Sequence, residues 1–429
     1  MPKKILYIVL DGLSDLPLEE LNKKTPLESA YTPHMDKLAQ SGVSGVSTPH
    51  LENTAPESDV AVFALLGYDP DKYYCGRGPL ESFAAGLNFE KGNLALRANF
   101  ATVDDDGLTI LDRRVARSLS TEEAQILANE INSKVTLTNA LFEFKATLGY
   151  RGVLVIRGIR SRLSGYITNT DPAYERKGLF SVPKPGFVNH LLQAQPQPGY
   201  ENSPEAQETA SLVNEFSLKV HQVLKDSPLN KKRVSSGTLP ANMLLFRDAG
   251  DHLPDFIKFS SLYNLKFGCF VEMPVDRGIA LLTGMDIVDV PHSTGHLDVD
   301  YPVWAKIALD ALQKHDGIYV HIKGPDEPGH DGDCRKKKEV IEAIDKYFFP
   351  ALVEKLDIKN TVLAVTADHS TSCARKAHIA NCVPLLICGA GIRPDGTMSF
   401  SEKAASLGSL GKMKSQDIMP LVVKLANTN

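Results

Sequence analysis

The stretch Val362–Ser370 limits what this chain can fold into more than any other. Val362 to Thr366 are apolar or β-branched, which predicts a short buried strand. Asp368 and His369 follow where that strand meets its loop, the edge at which open α/β sheets gather their sites. Carboxylate and imidazole are both metal ligands, and neighbours on one loop can approach one ion together. Alone, an Asp-His pair after a strand is more often a capped turn. The argument for a site comes from other runs that end in the same way.

Lys4–Leu10 predicts a first buried strand, ended by Asp11-Gly12. Asp11 reads as a turn cap or as a metal ligand. Thr32-Pro33 predicts an N-cap with proline at the first helical position, and Gly42 a stop. His34 in that first turn reads as structural. Ser58 lies between a polar loop and the apolar run Val60–Leu66, at the mouth of a helix whose free N–H groups favour an anion. It is either an N-cap or a nucleophile whose transferred phosphoryl group rests on the helix. Gly317–Lys323 predicts another strand, followed by a glycine-rich loop with Asp326 and His330. Cys334–Leu356 predicts a helix with Val340, Ile341, Ile344, Tyr347, Phe348, Leu352 and Val353 on its buried face. Arg375–His378 then precedes a further buried strand, Val383–Gly389. The alternation of strands with helices is that of a parallel sheet.

Asp11, Asp326, His330, Asp368, His369 and His378 thus all flank strand ends of one expected sheet, enough for two three-ligand sets with Ser58 bridging a substrate phosphate. Oxygen ligands mixed with imidazoles suit Mn²⁺ or Zn²⁺ better than Ca²⁺. His50, His190, His221, His252, His292, His296, His315 and His321 lack such surroundings and read as structural or surface groups. From about Gly86 the texture differs, and the earlier one returns somewhere between Asp255 and Gly268. Asn93–Val103 predicts a strand, Asp104–Gly107 a turn, and Ser120-Thr121 the start of an amphipathic helix. Arg113, Arg114, Arg117, Arg151, Arg157 and Arg247 recur near strand ends, as a phosphate- or carboxylate-binding face requires, or as a solvated basic edge has.

With 429 residues, two domains are expected. A net charge of −5 with 47 basic residues excludes nucleic-acid binding driven by bulk charge, so an anionic substrate needs a local basic cluster. The apolar run before Asp11 is too short for a signal h-region or a membrane span. Six cysteines without a C-x-x-C pair suit reduced thiols and a cytoplasmic location.

Together these residues resemble the archaeal-type cofactor-independent phosphoglycerate mutases of the alkaline phosphatase superfamily, over essentially the whole chain. The specific pieces are Leu10–Gly12, Thr25–Ala30, Thr32–Ala39, Ser58-Asp59, Leu66–Pro70, Gly76–Glu81, Asn99–Val103, Asp326–Asp333, Asp368-His369 and His378. The resemblance implies an α/β fold: an alkaline-phosphatase-like parallel-sheet domain in two segments, 1–88 and 258–429, around an inserted α/β transferase domain, 89–257. It implies an isomerase that moves a phosphoryl group between the 3- and 2-hydroxyls of glycerate through phosphorylated Ser58, without 2,3-bisphosphoglycerate. One divalent metal (manganese, zinc or magnesium) would be held by Asp326, His330 and His378. The second would be held by Asp11, Asp368, His369 and Ser58. Arg77, Arg113, Arg114, Arg117, Arg247, Arg277 and Lys323 would grip the substrate, phosphoglycerate being the partner, with no nucleic acid or membrane and a homo-oligomer allowed.

The chain departs from that family at four places. Glu57 stands where glycine usually precedes the nucleophile, and Asn169–Ala173 replaces Asp-Thr-Asp-Pro-His. Arg277 takes the place of a lysine, and Gly324-Pro325 that of Ala-Thr. All four leave the serine and the six ligands in place. The alternative is a related phosphotransferase or phosphohydrolase, homoserine-kinase-like, acting on another small phosphorylated metabolite.

Overall fold

The computed structural model describes residues 3–48, 58–184 and 186–428, so Glu57 and His50 lie outside the described residues. The chain divides into two compact units, Met1–Tyr73 with Phe256–Asn429, and Tyr74–Asp255. Residues 74–88, grouped by sequence with the first segment, fall in the second unit. There the helix Arg77–Ala84 packs on the strands Leu94–Val103 and Met243–Gly250. Gly78 permits that approach: a Cβ would lie 2.5 Å from the carbonyl oxygens of Ala95 and Asp248.

The first unit is built on an eight-stranded sheet. Its spatial order is Asp286–Asp289, Phe267–Val271, Gly317–Ile322, Lys4–Leu10, Thr361–Thr366, Val383–Gly389, Gly42–Thr48 and Gly411–Lys414. Only Val383–Gly389 runs against its neighbours. The three central strands are buried at every residue but Lys4. Helices on the faces explain why these strands read as continuous apolar runs rather than alternating ones. Each fully buried Leu or Ile contributes about 1.5–3 kcal/mol to holding the layers together. Parallel register pairs Leu10 with Ile322 and Val9 with Thr366, so the three strands end level.

Two helix expectations need correction. Proline leads the helix Pro33–Gln40, but Thr32 makes no side-chain cap; Asp345 accepts from the His34 and Met35 amides at 3.2 and 2.7 Å instead. The predicted helix Cys334–Leu356 is interrupted, running as Cys334–Ala343, a π turn over Ile344–Phe348, and Phe349–Val353. Pro350 has no amide hydrogen to continue the regular ladder through that turn.

In the second unit Leu94–Val103 lies between Arg151–Gly158 and Met243–Gly250, all antiparallel, with Ala140–Ala146 beyond. Helices Thr121–Lys134 and Pro204–Lys225 close one face over Leu94, Leu96, Ala98 and Phe100. Ser120 and Glu123 make the reciprocal capping box that starts the first of them. No helix among the described residues is long and apolar enough to cross a membrane.

Candidate active site

The level ends of the three central strands bring three carboxylates together. Asp11 follows Lys4–Leu10, Asp326 opens the short helix after Gly317–Ile322, and Asp368 follows Thr361–Thr366. The chain must turn at Gly12, where φ is +61°, and any Cβ there would press within 2.8 Å of Asp326 and Thr371. Gly12 N–H instead donates to Asp368 Oδ1 at 3.0 Å, and His369 N–H donates to the same oxygen at 2.9 Å.

Three sets of possible ligand atoms converge within 4.8 Å: Asp326 with His330 and His378, Asp11 with Asp326 and His369, and Asp11 with His321 and Asp368. His330 Nε2 and His378 Nε2 each stand 3.4 Å from Asp326. His369 Nε2 is a meeting point: Ser58 Oγ lies 3.0 Å away, Asp368 Oδ2 3.2 Å and Asp11 Oδ1 3.3 Å. Its other nitrogen, Nδ1, lies 3.1 Å from Thr371 Oγ1, whose hydroxyl donates to Asp326. His378 hangs on the small hairpin Ser370–Ser372 with Ala377–Ile379, and its ring stacks on His369 at 3.7 Å.

The electrostatics favour added positive charge. Burial raises the pKa of Asp11, but Lys323 and His369 outweigh it and hold the carboxyl well below its usual range. Burial and Asp11 also raise that of Asp326, and the nearby His378 and His369 pull it down overall. Asp11 Oδ1 and Asp368 Oδ2 are buried and make no hydrogen bond. Converging ionised oxygens without donors, in reach of imidazole nitrogens, fit divalent cations. Ser58 opens the helix Ser58–Leu65, and its hydroxyl reaches this cluster at His369.

Sequence reasoning passed over several residues here. His321 is not peripheral: it is buried, 3.4 Å from Asp368 and 3.7 Å from Asp276. Burial and Lys323 lower its pKa, while Asp276 and Asp368 raise it to about 9. A histidine inside an otherwise apolar strand was the available signal. Lys337, fully buried, donates to the carbonyls of Ser14 at 2.9 Å and Thr371 at 2.6 Å, with Asp15 Oδ2 at 3.5 Å. Asp15 in turn accepts from Cys373 N at 3.0 Å, so this cage ties the Asp11 loop to the Asp368 loop.

The basic residues are dispersed. Lys323 Nζ is 3.0 Å from Asp11 Oδ2 in the metal-type cluster. Arg277 faces outward and pairs with Asp289 at 2.8 Å. In the second unit, Arg77 binds Glu81, and Arg247 lies 3.9 Å over the Tyr174 ring. Arg113 is held by Asp171 through two bonds of 2.9 and 2.7 Å, within the very segment 169–173 where the sequence is unusual. Arg113, Arg114 and Arg117 line a cavity of about 540 Å³. Val115, Ala116 and Arg117 there have φ of 53°, 50° and 55°. Left-handed backbone costs non-glycine residues about 1–2 kcal/mol each. Asp112 Oδ1, accepting from the Arg114 and Ala116 amides at 2.7 and 2.8 Å, holds the turn.

Residues 39–230 match a family model described as 2,3-bisphosphoglycerate-independent phosphoglycerate mutase. The enzyme of that name from Aeropyrum pernix is 42% identical over 95% of this chain and 96% of its own length. A solved protein from Pyrococcus horikoshii has 31% identity and a TM-score of 0.79, covering 100% of this chain and 98% of that one. The cofactor-independent phosphoglycerate mutase from Thermoplasma acidophilum has 32% identity and a TM-score of 0.63, covering 99% of this chain and 100% of its own.

Proposed function

The chain belongs to the 2,3-bisphosphoglycerate-independent phosphoglycerate mutase family, and on that premise we propose that Ser58 carries the phosphoryl group in transit. The protein is an isomerase of the intramolecular phosphotransferase kind, interconverting 3-phosphoglycerate and 2-phosphoglycerate. The observation that best supports the role of Ser58 is its hydroxyl, at a helix N-terminus and 3.0 Å from His369 Nε2. The full-length likeness favours this reading over the homoserine-kinase-like alternative.

Asp326, His330 and His378 would hold one divalent ion, and Asp11, Asp368, His369 and Ser58 the other. Bound there, manganese, zinc or magnesium would stabilise the serine alkoxide and offset charge on the phosphate oxygens. The chain's own part is positioning. The Asp368 carboxylate is fixed by the Gly12 and His369 amides, and the Thr371 hydroxyl orients both Asp326 and His369. Attack by Ser58 Oγ, with loss of its proton, forms the Oγ–P bond as the bond from phosphorus to the 3-oxygen breaks, and that oxygen takes up a proton. Attack by the 2-hydroxyl, with loss of its proton, forms the bond from the 2-oxygen to phosphorus as the Oγ–P bond breaks, and Ser58 Oγ takes up a proton. The first amides of the Ser58 helix suit the phosphoserine dianion. Arg77, Arg113, Arg114, Arg117, Arg247 and Lys323 are candidates for holding glycerate while the phosphoserine persists. Arg277 is a weaker one, given its outward pairing with Asp289. We place the reaction in cytoplasmic glycolysis and gluconeogenesis.

The test is conversion of 3-phosphoglycerate by manganese-loaded protein without 2,3-bisphosphoglycerate. Product is followed through added enolase, with free phosphate measured in parallel. Rapid isomerisation with little free phosphate is expected. Release of phosphate without isomer would overturn the mutase reading.

A further inference from the structure

The second unit carries a polar stripe in which Arg97 and Asn99, given no role by the sequence, join Arg151 and Arg247. Residues two apart on a strand share a face, and directly opposed residues of antiparallel strands share it too. Arg97 and Asn99 are therefore on one face of Leu94–Val103, with Arg247 opposite Arg97 and Arg151 opposite Asn99. Apolar clusters bound the stripe at either end, Leu87, Ala95, Val153 and Val155 at one and Ala101, Val103, Ile110, Met243 and Leu245 at the other. A sheet face closed for packing alone would carry apolar residues across the gap.

Arg97 and Asn99 are 6% and 4% exposed. Glu81, from the helix Arg77–Ala84, answers Arg77 at 2.8 Å and Arg97 at 3.5 Å, and Asp248 stands 3.5 Å from Arg247. Four guanidinium groups (77, 97, 151 and 247) thus gather around these two carboxylates. Buried charge is costly unless it is matched. Burial, then Arg247 and Arg77, push Arg97 down to about 10 against the opposing pull of Glu81 and Asp248. The unmet atoms are specific: Arg151 Nε makes no hydrogen bond, Arg97 Nε makes none although Glu81 Oε1 lies 3.5 Å away, and Asn99 Oδ1 accepts none. The missing partner therefore offers anionic oxygens and, beside them, one hydroxyl donor.

We infer that Arg97, Asn99 and Arg151 form a binding floor for a small anionic hydroxy acid, the guanidinium groups taking its anionic oxygens and the Asn99 amide oxygen its hydroxyl. The inference rests on the mutase reading and deepens it by naming the part of the substrate these residues take. The anionic oxygens belong either to the carboxylate beside the 2-hydroxyl or to the phosphate. Loss of a charged hydrogen bond in such a place is worth about 30-fold in affinity.

The experiment uses the full-length, manganese-loaded protein in a Ser58→Ala background, in which binding is measured by calorimetry without turnover. The ligands are 3-phosphoglycerate, D-glycerate and inorganic phosphate. Arg97→Met is expected to weaken 3-phosphoglycerate about 30-fold, with Arg97→Lys recovering part of the loss. With native Ser58 the same change should appear chiefly in KM. D-glycerate weakened in step assigns the floor to the carboxylate, and inorganic phosphate weakened instead assigns it to the phosphate. Arg151→Gln is the second variant, decisive if Arg97→Met does not fold. Affinities within twofold of the parent in the folded variants would overturn the inference and leave the mutase standing. Absence of isomerisation by the protein with native Ser58 would overturn the mutase reading, and the binding losses would still decide the floor.

Discussion

Lys337→Met isolates one buried cation that spans both ligand loops. Methionine keeps the aliphatic stem and removes the ammonium. The carbonyls of Ser14 and Thr371 then lose their donor, and Asp15 loses the cation 3.5 Å away, while Asp15 keeps the Cys373 and Leu16 amides. Breaking a buried ion pair from one side costs about 3–5 kcal/mol, and the retained amides place the loss near the lower end, about 3 kcal/mol. For a unit of this size each kcal/mol moves the transition by about 2–4 °C, so Tm of the first unit should fall by about 10 °C. Calorimetry on chelator-treated protein reads this without metal linkage, and because two units are present their transitions are fitted separately. The paired variant Lys337→Met with Asp15→Asn should recover part of the loss, since no buried charge is then left alone. Manganese affinity, titrated on folded protein, should also drop, because the Asp11 and Asp368 loops lose their tie. A shift under about 2 °C with unchanged metal affinity would refute the reasoning and reduce the cage to incidental packing.

Ser58→Ala should reduce turnover at least about a thousandfold while far-ultraviolet dichroism stays as in the parent; near-normal mutase rates would remove the covalent step. Glu402, half-buried with Thr25 donating to it at 2.8 Å, has its pKa pushed up to about 7 by burial, with Glu28 adding to the rise. A carboxyl raised on folding binds its proton more tightly in the native state. Its contribution is therefore full below about pH 4.5, is lost as pH rises toward 7, and is flat above, a fall of about 3 kcal/mol. Glu402→Gln should flatten that part of the urea-midpoint profile and be the more stable protein at pH 8; an unchanged profile would exclude Glu402 as its source.

How much could be read in advance follows from the range of each interaction. Buried parallel strands declare themselves locally, because apolar faces on both sides leave no alternation, and the carboxylates at their ends stand out against that background. The capping box at Ser120 is equally local, four residues long. Thr32 misled because the real cap, Asp345, arrives from a helix more than three hundred residues away. Lys337 was illegible for a related reason: it sits in the run Arg335–Lys338, which reads as a solvated helical face. Only the packing of that helix shows which lysine turns inward. His321 and Arg97 share another difficulty. Both are polar residues inside strands, and strand periodicity says which face they occupy but not what waits there.

The sheet order has a consequence for synthesis. Lys4–Leu10 is the middle strand, yet both of its partners are encoded about three hundred residues later. On the ribosome, this strongly apolar segment emerges with both hydrogen-bonding edges open and must wait for the chain between to be translated. At about 5–20 residues per second that delay is tens of seconds, long compared with hydrophobic collapse. Tyr74–Asp255, whose contacts are more nearly its own, can close during the interval, so the nascent chain passes through a stage with one finished body and one unpaired strand. Demand for a holdase chaperone during translation should therefore concentrate on the first strand and end when Thr361–Thr366 leaves the exit tunnel.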